Sequence, residues 1–254
     1  MLLEPTMEKL SQMKMHTMAR SIQERLGRTD HTDMCISDFI GFVVDDEWTA
    51  RQNRKLKSRL KQAKFKENEA CLESLDYTVP RGMKKTLILE LAQNHWIEKH
   101  HNIAITGPSG SGKSYLAQAL GNHLCRSGIQ TAYFRVPKLA VQLIQARADG
   151  SYLKFLKKIS KTKVLILDDL GIGKLADDQR DDLLEIIEDR YAQGSTIITA
   201  QLPPGEWHDY FGSGIVADGI CDRILHNAHR IHLKAPESIR KLKSSLTPSE
   251  DSGK

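Results

Sequence analysis

The chain has 254 residues, of which 27% are charged and 40% hydrophobic, and a formal net charge of +5 at pH 7. That length suits one large domain, or a medium domain with a small companion. No apolar run approaches a membrane span, Met1-Leu2-Leu3-Glu4-Pro5 lacks the pattern of a signal peptide, and the four cysteines are far apart, so the expectation is a cytoplasmic protein with no membrane association and idle thiols.

Residues 7–66 read as helices. Met15, Met18, Ile22 and Leu26 recur at three- and four-residue steps and predict one apolar stripe for packing. Gly27 to Thr32 is polar and reads as a loop, and Ser37 is a candidate N-cap for a second helix. From Glu47 the chain reads as one long helix, with Trp48, Leu56, Leu60 and Ala63 on its apolar face. Arg51, Arg54, Lys55, Lys57, Arg59, Lys61, Lys64 and Lys66 fill its other faces, eight basic residues with no acid among them. Residues 1–80 carry thirteen basic and thirteen acidic side chains, so this run is a local concentration in a neutral region. A plain solvated surface mixes both signs, and like charges repel unless a polyanion neutralises them. The run therefore predicts binding to a phosphate backbone.

Glu67 to Met83 reads as a linker, broken by Thr78-Val79-Pro80-Arg81-Gly82. The expected division is a helical basic domain over 1–75 and a second domain over 76–243, entered by a helix from Thr86 to Lys99 with Leu87, Leu91 and Ile97 as its apolar positions. Next comes the apolar strand-like run Ile103-Ala104-Ile105-Thr106, followed by Gly107, Pro108, Ser109, Gly110, Ser111, Gly112, Lys113 and Ser114. Strand, glycine-rich loop with Gly-Lys-Ser, and helix-like run make up the Walker A arrangement. The glycines let backbone N–H groups approach a phosphate, the helix N-terminus adds partial positive charge, Lys113 would reach the β- and γ-phosphates, and Ser114 would bind magnesium.

Further strands are predicted near 131–136, 164–168, 196–200 and 229–233, and helices near 113–126, 138–148, 152–159, 177–192 and 236–243. This alternation predicts an α/β fold with a five-stranded parallel sheet and nucleotide at the carboxyl ends of the strands. Val164-Leu165-Ile166-Leu167 ends in Asp168-Asp169, placing Asp168 to hold magnesium in the Walker B role and Asp169 to orient an attacking water. Arg147, Lys154, Lys157, Lys158, Lys161 and Lys163 form a second basic stretch, read equally as a nucleic-acid surface or a lysine-rich exterior. Residues 244–254 are polar and expected to be disordered.

Taken in order, the chain closely resembles the IstB family of transposition helper ATPases over about residues 5–243. The resemblance is carried by Glu47-Trp48-Thr49-Ala50-Arg51 with its basic run, the Walker A loop, Leu165-Ile166-Leu167-Asp168-Asp169-Leu170-Gly171, Ser195 to Pro203, Trp207, and Asp222 to Ala228. It implies an AAA+ P-loop NTPase related to the DnaC loader and to DnaA, with ATP and magnesium as cofactors. It further implies assembly into homo-oligomers on double-stranded DNA with little sequence preference, and a cognate transposase as partner. By position, Gln201 takes a sensor role towards the γ-phosphate or water, Arg223 matches an arginine finger reaching a neighbouring subunit's nucleotide, and Arg240 resembles a second sensor. Two positions depart from the usual pattern: aspartate stands at Asp169 in place of glutamate, and glutamine at Gln201 in place of the commoner asparagine. A DnaC-like helicase loader is the alternative reading, and the basic run favours the DNA-organising one. A small-molecule kinase is disfavoured by the paired aspartates, Arg223 and the basic helical region.

Overall fold

The computed structural model describes residues 3–27 and 35–234, so the expected helix over 236–243, Arg240 and the tail from 244 lie outside the described residues. The chain divides into two compact units, Met1–Ser58 and Arg59–Lys254. The boundary falls ahead of residue 75, where the sequence places it. The reason is packing: Arg59 Nε donates to the Cys125 carbonyl at 2.9 Å, and the backbone N–H groups of Lys66 and Glu67 both donate to Gln118 Oε1, at 2.7 and 2.8 Å. The stretch read as a linker is thus bonded into the second unit.

The first unit holds α1 (Leu3–Gln12), α2 (His16–Leu26) and most of α3 (Ile36–Ala63). Met7, Leu10 and Ala19 form a small buried cluster against Met15, Met18 and Ile22, which realises most of the expected stripe. Leu26 departs from it and is exposed. The two helices expected across 37–66 are one helix of 28 residues, and Ser37 lies within its first turn instead of capping a later one. Asp46 and Glu47 tie its middle to α2: Asp46 accepts from Ser21 Oγ at 2.6 Å, and Glu47 accepts from the Met18 N–H at 3.0 Å, one of the donors that a helix start leaves unpaired. Trp48, expected on the apolar face, is 61% exposed, and Ile36, Ile40 and Val44 are exposed with it at four-residue steps.

The second unit opens with α4 (Lys85–Leu91) and α5 (His95–Glu98), where one helix was expected. Asn94 takes a left-handed φ of 65° and breaks it, which turns Trp96 and Ile97 into the core. The sheet follows: β1 (Asn102–Thr106), β2 (Thr131–Arg135), β3 (Val164–Leu170), β4 (Ser195–Ala200) and β5 (Ala228–His232). Its order is β2-β3-β4-β1-β5, and all pairings are parallel. The central strands β1 and β4 are buried at every residue, including Asn102, Thr106, Ser195, Thr196 and Thr199.

One face carries α6 (Lys113–Arg126), buried through Leu116, Ala117, Leu120 and Leu124. Gly121 lets it approach closely, since a Cβ there would lie 2.7 Å from Ile166 Cδ1 and from the Phe65 ring. A large apolar cluster includes residues of α7 (Val136–Ala148), α8 (Tyr152–Ser160), α9 (Asp177–Arg190) and α11 (Ile215–Leu225), with β3 and β4. Trp207, at the start of the short α10 (Trp207–Tyr210), is fully buried in it and donates its Nε1–H to the Leu202 carbonyl at 3.0 Å. Neither α10 nor α11 is expected from the sequence pattern.

Candidate nucleotide site

The loop Gly107–Gly112 leaves the end of β1 and delivers the chain into α6. Two of its glycines are demanded by the backbone. Gly107 has φ 146° and sits against the Leu233 carbonyl with no room for a Cβ, and Gly112 starts α6 with φ 91°. Lys113 is buried and its Nζ donates to the Pro108 carbonyl at 2.8 Å, so the ammonium is folded over its own loop.

Strand order then sets the acidic side of the site. β4 lies between β1 and β3, so Thr199 and Gln201 stand between the phosphate loop and the aspartate pair. Asp168 is 2% exposed. Its Oδ1 accepts from Ser114 Oγ at 2.8 Å and from Thr199 Oγ1, and its Oδ2 accepts from the Tyr133 hydroxyl at 2.7 Å. Burial, then the bond to Asp168, pushes the Tyr133 phenol well above its usual range, so it stays a proton donor.

Asp169 occupies a break in register between Leu167 and Leu170, with φ 64°. Strict alternation would send it to the opposite face from Asp168. The irregularity instead brings its Oδ2 to 2.6 Å from Arg135 Nε, and its N–H donates to Thr199 Oγ1 at 3.0 Å. The bond to Asp169 in turn raises the Arg135 guanidinium further above its already high value.

A cavity of about 550 Å³ is lined by Ser109, Gly110, Gly112, Lys113 and Ser114 of the loop, by Asp169 and by Gln201. Its remaining wall includes Leu75, Asp76, Val79 and Arg81, from the stretch read as a linker. The volume is in the range of small-molecule and cofactor sites. A glycine-rich loop ahead of a helix N-terminus, a lysine, and a serine hydroxyl bonded to a buried carboxylate form a donor set suited to a nucleoside triphosphate with a hard divalent cation. Ser114 and Asp168 would hold the cation. Sequence reasoning missed Tyr133, Arg135, Thr199 and the 75–81 wall. Nothing in the sequence pattern marks these residues or the wall, because strand order and distant contacts place them.

The other named residues lie elsewhere. Arg223, near the end of α11, has its carbonyl bonded to Asn102 Nδ2 at 3.0 Å, and Asn102 begins β1. It therefore sits at the amino end of the sheet, while the phosphate loop leaves the carboxyl end of the same strand. A five-residue strand spans on the order of 15 Å. Arg223 Nη2 pairs with Glu188 at 2.9 Å and Nη1 donates to the Gly219 carbonyl at 3.1 Å. Of the basic run, Arg51 and Arg54 both pair with the buried Glu47 carboxylate, at 2.7 and 3.1 Å, and Arg59 is held by Cys125. Lys55, Lys57, Lys61, Lys64 and Lys66 are exposed. In the second basic stretch Arg147 pairs with Asp182 and lies over the Tyr152 ring, whereas Lys154, Lys157, Lys158, Lys161 and Lys163 are exposed. Among the described residues no helix is long and apolar enough to cross a membrane.

This geometry agrees with what the chain is similar to. It is 43% identical over 241 residues to the insertion sequence ATP-binding protein y4pL of Sinorhizobium fredii, covering 95% of this chain and 98% of that one. It is 29% identical over 231 residues to the insertion sequence IS21 ATP-binding protein of Pseudomonas aeruginosa, covering 91% and 86%. Among solved structures it resembles the DnaC helicase loader, with a TM-score of 0.52, 26% identity, and coverage of 59% of this chain and 87% of that one. It also resembles AMPPCP-bound DnaA from Aquifex aeolicus, with a TM-score of 0.57, 18% identity, and coverage of 68% and 52%. The fold is that of the AAA+ P-loop proteins, as the family resemblance implies. With residues 8–247 matching the family described as IstB-like ATP binding protein, the chain belongs to that family.

Proposed function

We propose that the protein is an ATP-hydrolysing assembly factor that binds double-stranded DNA without sequence preference and presents it to a transposase. The observation that carries the ATP part is the bond between Ser114 Oγ and the buried Asp168 carboxylate at 2.8 Å, beside a cavity floored by the glycine-rich loop. The transposition part is supported by relatives described as insertion sequence ATP-binding proteins.

Magnesium, when bound, would neutralise charge between the β- and γ-phosphates. Lys113 would release its loop carbonyl and turn to the phosphates. Ser114 and Asp168 would hold the cation, and Gln201 would meet the γ-phosphate or the water. Asp169, steadied by Arg135, would accept the proton of the attacking water. Arg223 is on the wrong end of its own sheet for this site, which supports a role at a neighbouring subunit's γ-phosphate. Homo-oligomerisation then follows from the chemistry, because each site is complete only at a junction. The exposed lysines of the basic run would take the DNA phosphates.

The test is fluorescence anisotropy with two labelled duplexes of unrelated sequence, with and without ATP, across a salt series. The expected result is similar affinity for both duplexes, tightening with ATP and a steep fall with salt. The likeness to DnaC supports a helicase loader as the second reading. ATP-dependent capture of a hexameric replicative helicase, with no duplex binding at low salt, would replace the first reading with the second.

A further inference from the structure

We infer that Tyr133 is a positioning residue of the magnesium–nucleotide site, fixing the Asp168 carboxylate from the neighbouring strand and tying it to the turn that follows α3. The inference rests on the nucleotide-binding reading of the Ser114–Asp168 pair.

A carboxylate as buried as Asp168 needs partners for both oxygens. Oδ1 is shared by two hydroxyls, those of Ser114 and Thr199, and Oδ2 takes the phenol of Tyr133. Binding a cation would draw Ser114 and one carboxylate oxygen towards the metal. Tyr133 and Thr199 then remain as the fixed partners that set the carboxylate plane. Outer partners of this kind orient a metal ligand and tune its affinity.

The register explains why a tyrosine stands there. Tyr133 is paired with Ile166 and Arg135 with Asp168, so Tyr133, Ile166 and Asp168 share one face of the sheet. From that position the phenol reaches two residues forward along β3 to Oδ2.

The ring has a second contact. Phe65, in the turn just after α3, meets it edge-on with centroids 6.3 Å apart and planes at 64°. Phe65 is itself buried and wedged against Gly121 of α6. The next two residues hang from Gln118 Oε1, and the Gln118 amide donates to the Ser114 carbonyl at 3.1 Å. Tyr133 and Gln118, which contact the 65–67 turn, thus also bond to Asp168 and to the Ser114 carbonyl. A shift of the turn would then be felt at both members of the metal-binding pair.

A tyrosine that only satisfied a buried acid would affect stability and nothing else. Tyr133→Phe separates the cases, because it keeps the ring and its contact with Phe65 and removes only the hydroxyl. The experiment uses the full chain and a fluorescent ATP analogue, titrated with magnesium and, separately, bound in excess EDTA. The variant is expected to melt cooperatively and to bind the metal-free nucleotide within about twofold of the parent. Half-maximal tightening should need roughly ten- to 100-fold more magnesium, the usual cost of losing an outer partner of a metal ligand. Phe65→Leu, which leaves the hydroxyl but loosens the ring, should shift the titration the same way and less, and it carries the test should Tyr133→Phe fail to fold. A magnesium titration of folded Tyr133→Phe that overlays the parent's overturns the positioning role, and an overlay for Phe65→Leu overturns the tie to the turn. Nucleotide binding insensitive to magnesium in the parent itself would instead bring down the Ser114–Asp168 reading, and this inference with it.

Discussion

Asp168 and Asp169 are neighbours in sequence with different environments, and that difference underlies the separate roles proposed for them. Asp168 is nearly buried in a cage of three hydroxyls. Asp169 faces the cavity and is held by Arg135. Asp169→Asn should keep magnesium–ATP affinity within a few-fold while hydrolysis falls by about 100-fold or more, the usual worth of a general base. Asp168→Asn should instead weaken magnesium-dependent binding. Equilibrium nucleotide binding and phosphate release on both variants check this, and swapped phenotypes would reverse the two roles. Glu47 shows the same sensitivity to surroundings. Burial raises its pKa, but Arg51, the Met18 N–H and Arg54 outweigh burial and hold it below its ordinary value of 4.5. A carboxyl with a depressed folded pKa contributes stability that is complete above the unfolded value and is lost as pH falls through the folded one. The first unit should therefore lose stability below about pH 4.5. Glu47→Gln should be less stable at neutral pH by about 1–3 kcal/mol and should lack this part of the acid transition. Circular dichroism melts of both proteins across pH 3–7 (a range set by ordinary carboxyl titration) measure it.

At the scale of elements, α3 separates two uses of basic residues that its sequence runs together. Arg51 and Arg54 serve the fold through Glu47. Lys57, Lys61 and Lys64, near the end of the basic run, are exposed. Replacing these three lysines by alanine should weaken duplex binding and reduce the magnitude of the salt slope by about 2–3, one counterion term per phosphate contact. Melting temperature and ATP affinity should be unchanged. Replacing Arg51 and Arg54 should lower the melting temperature of the first unit while leaving more of the slope. Anisotropy salt series and thermal melts on both variants measure the contrast, and a lysine variant with the parent's slope would make these three lysines plain solvated side chains.

For the whole molecule, the decisive fact is which end of the sheet each residue occupies. The phosphate loop leaves the carboxyl end of β1, and Arg223 is anchored at the amino end of the same strand through Asn102. A finger acting within its own chain would have to cross the sheet. Arg223→Ala should keep ATP binding by isolated subunits and lose both hydrolysis and ordered assembly on DNA. Lys113→Ala should lose ATP binding. Mixing the two inactive variants pairs an intact loop with an intact finger at some junctions, so partial ATPase recovery on DNA is expected. No recovery, in mixtures shown by crosslinking to contain both variants, would reject action in trans.

By itself, the sequence determined what short-range physics can encode. The apolar run before Gly107, the loop to Ser114, the helix after it and the apolar strand ending in Asp168 are contiguous patterns, and each is found where it was read. So is the alternation of strands and helices as far as β4, whereas α11, which continues it to β5, was not read. Only the tertiary structure decided what depends on strand order and on distant neighbours. It placed β4 between β1 and β3, bringing Thr199 to Asp168, and it set β2 beside β3, bringing Tyr133 and Arg135 to the aspartates. It also folded the 75–81 segment into the cavity wall and spent two arginines of the basic run on Glu47. None of these leaves a periodic trace, because a hydrogen bond across the fold constrains two residues far apart and nothing in between.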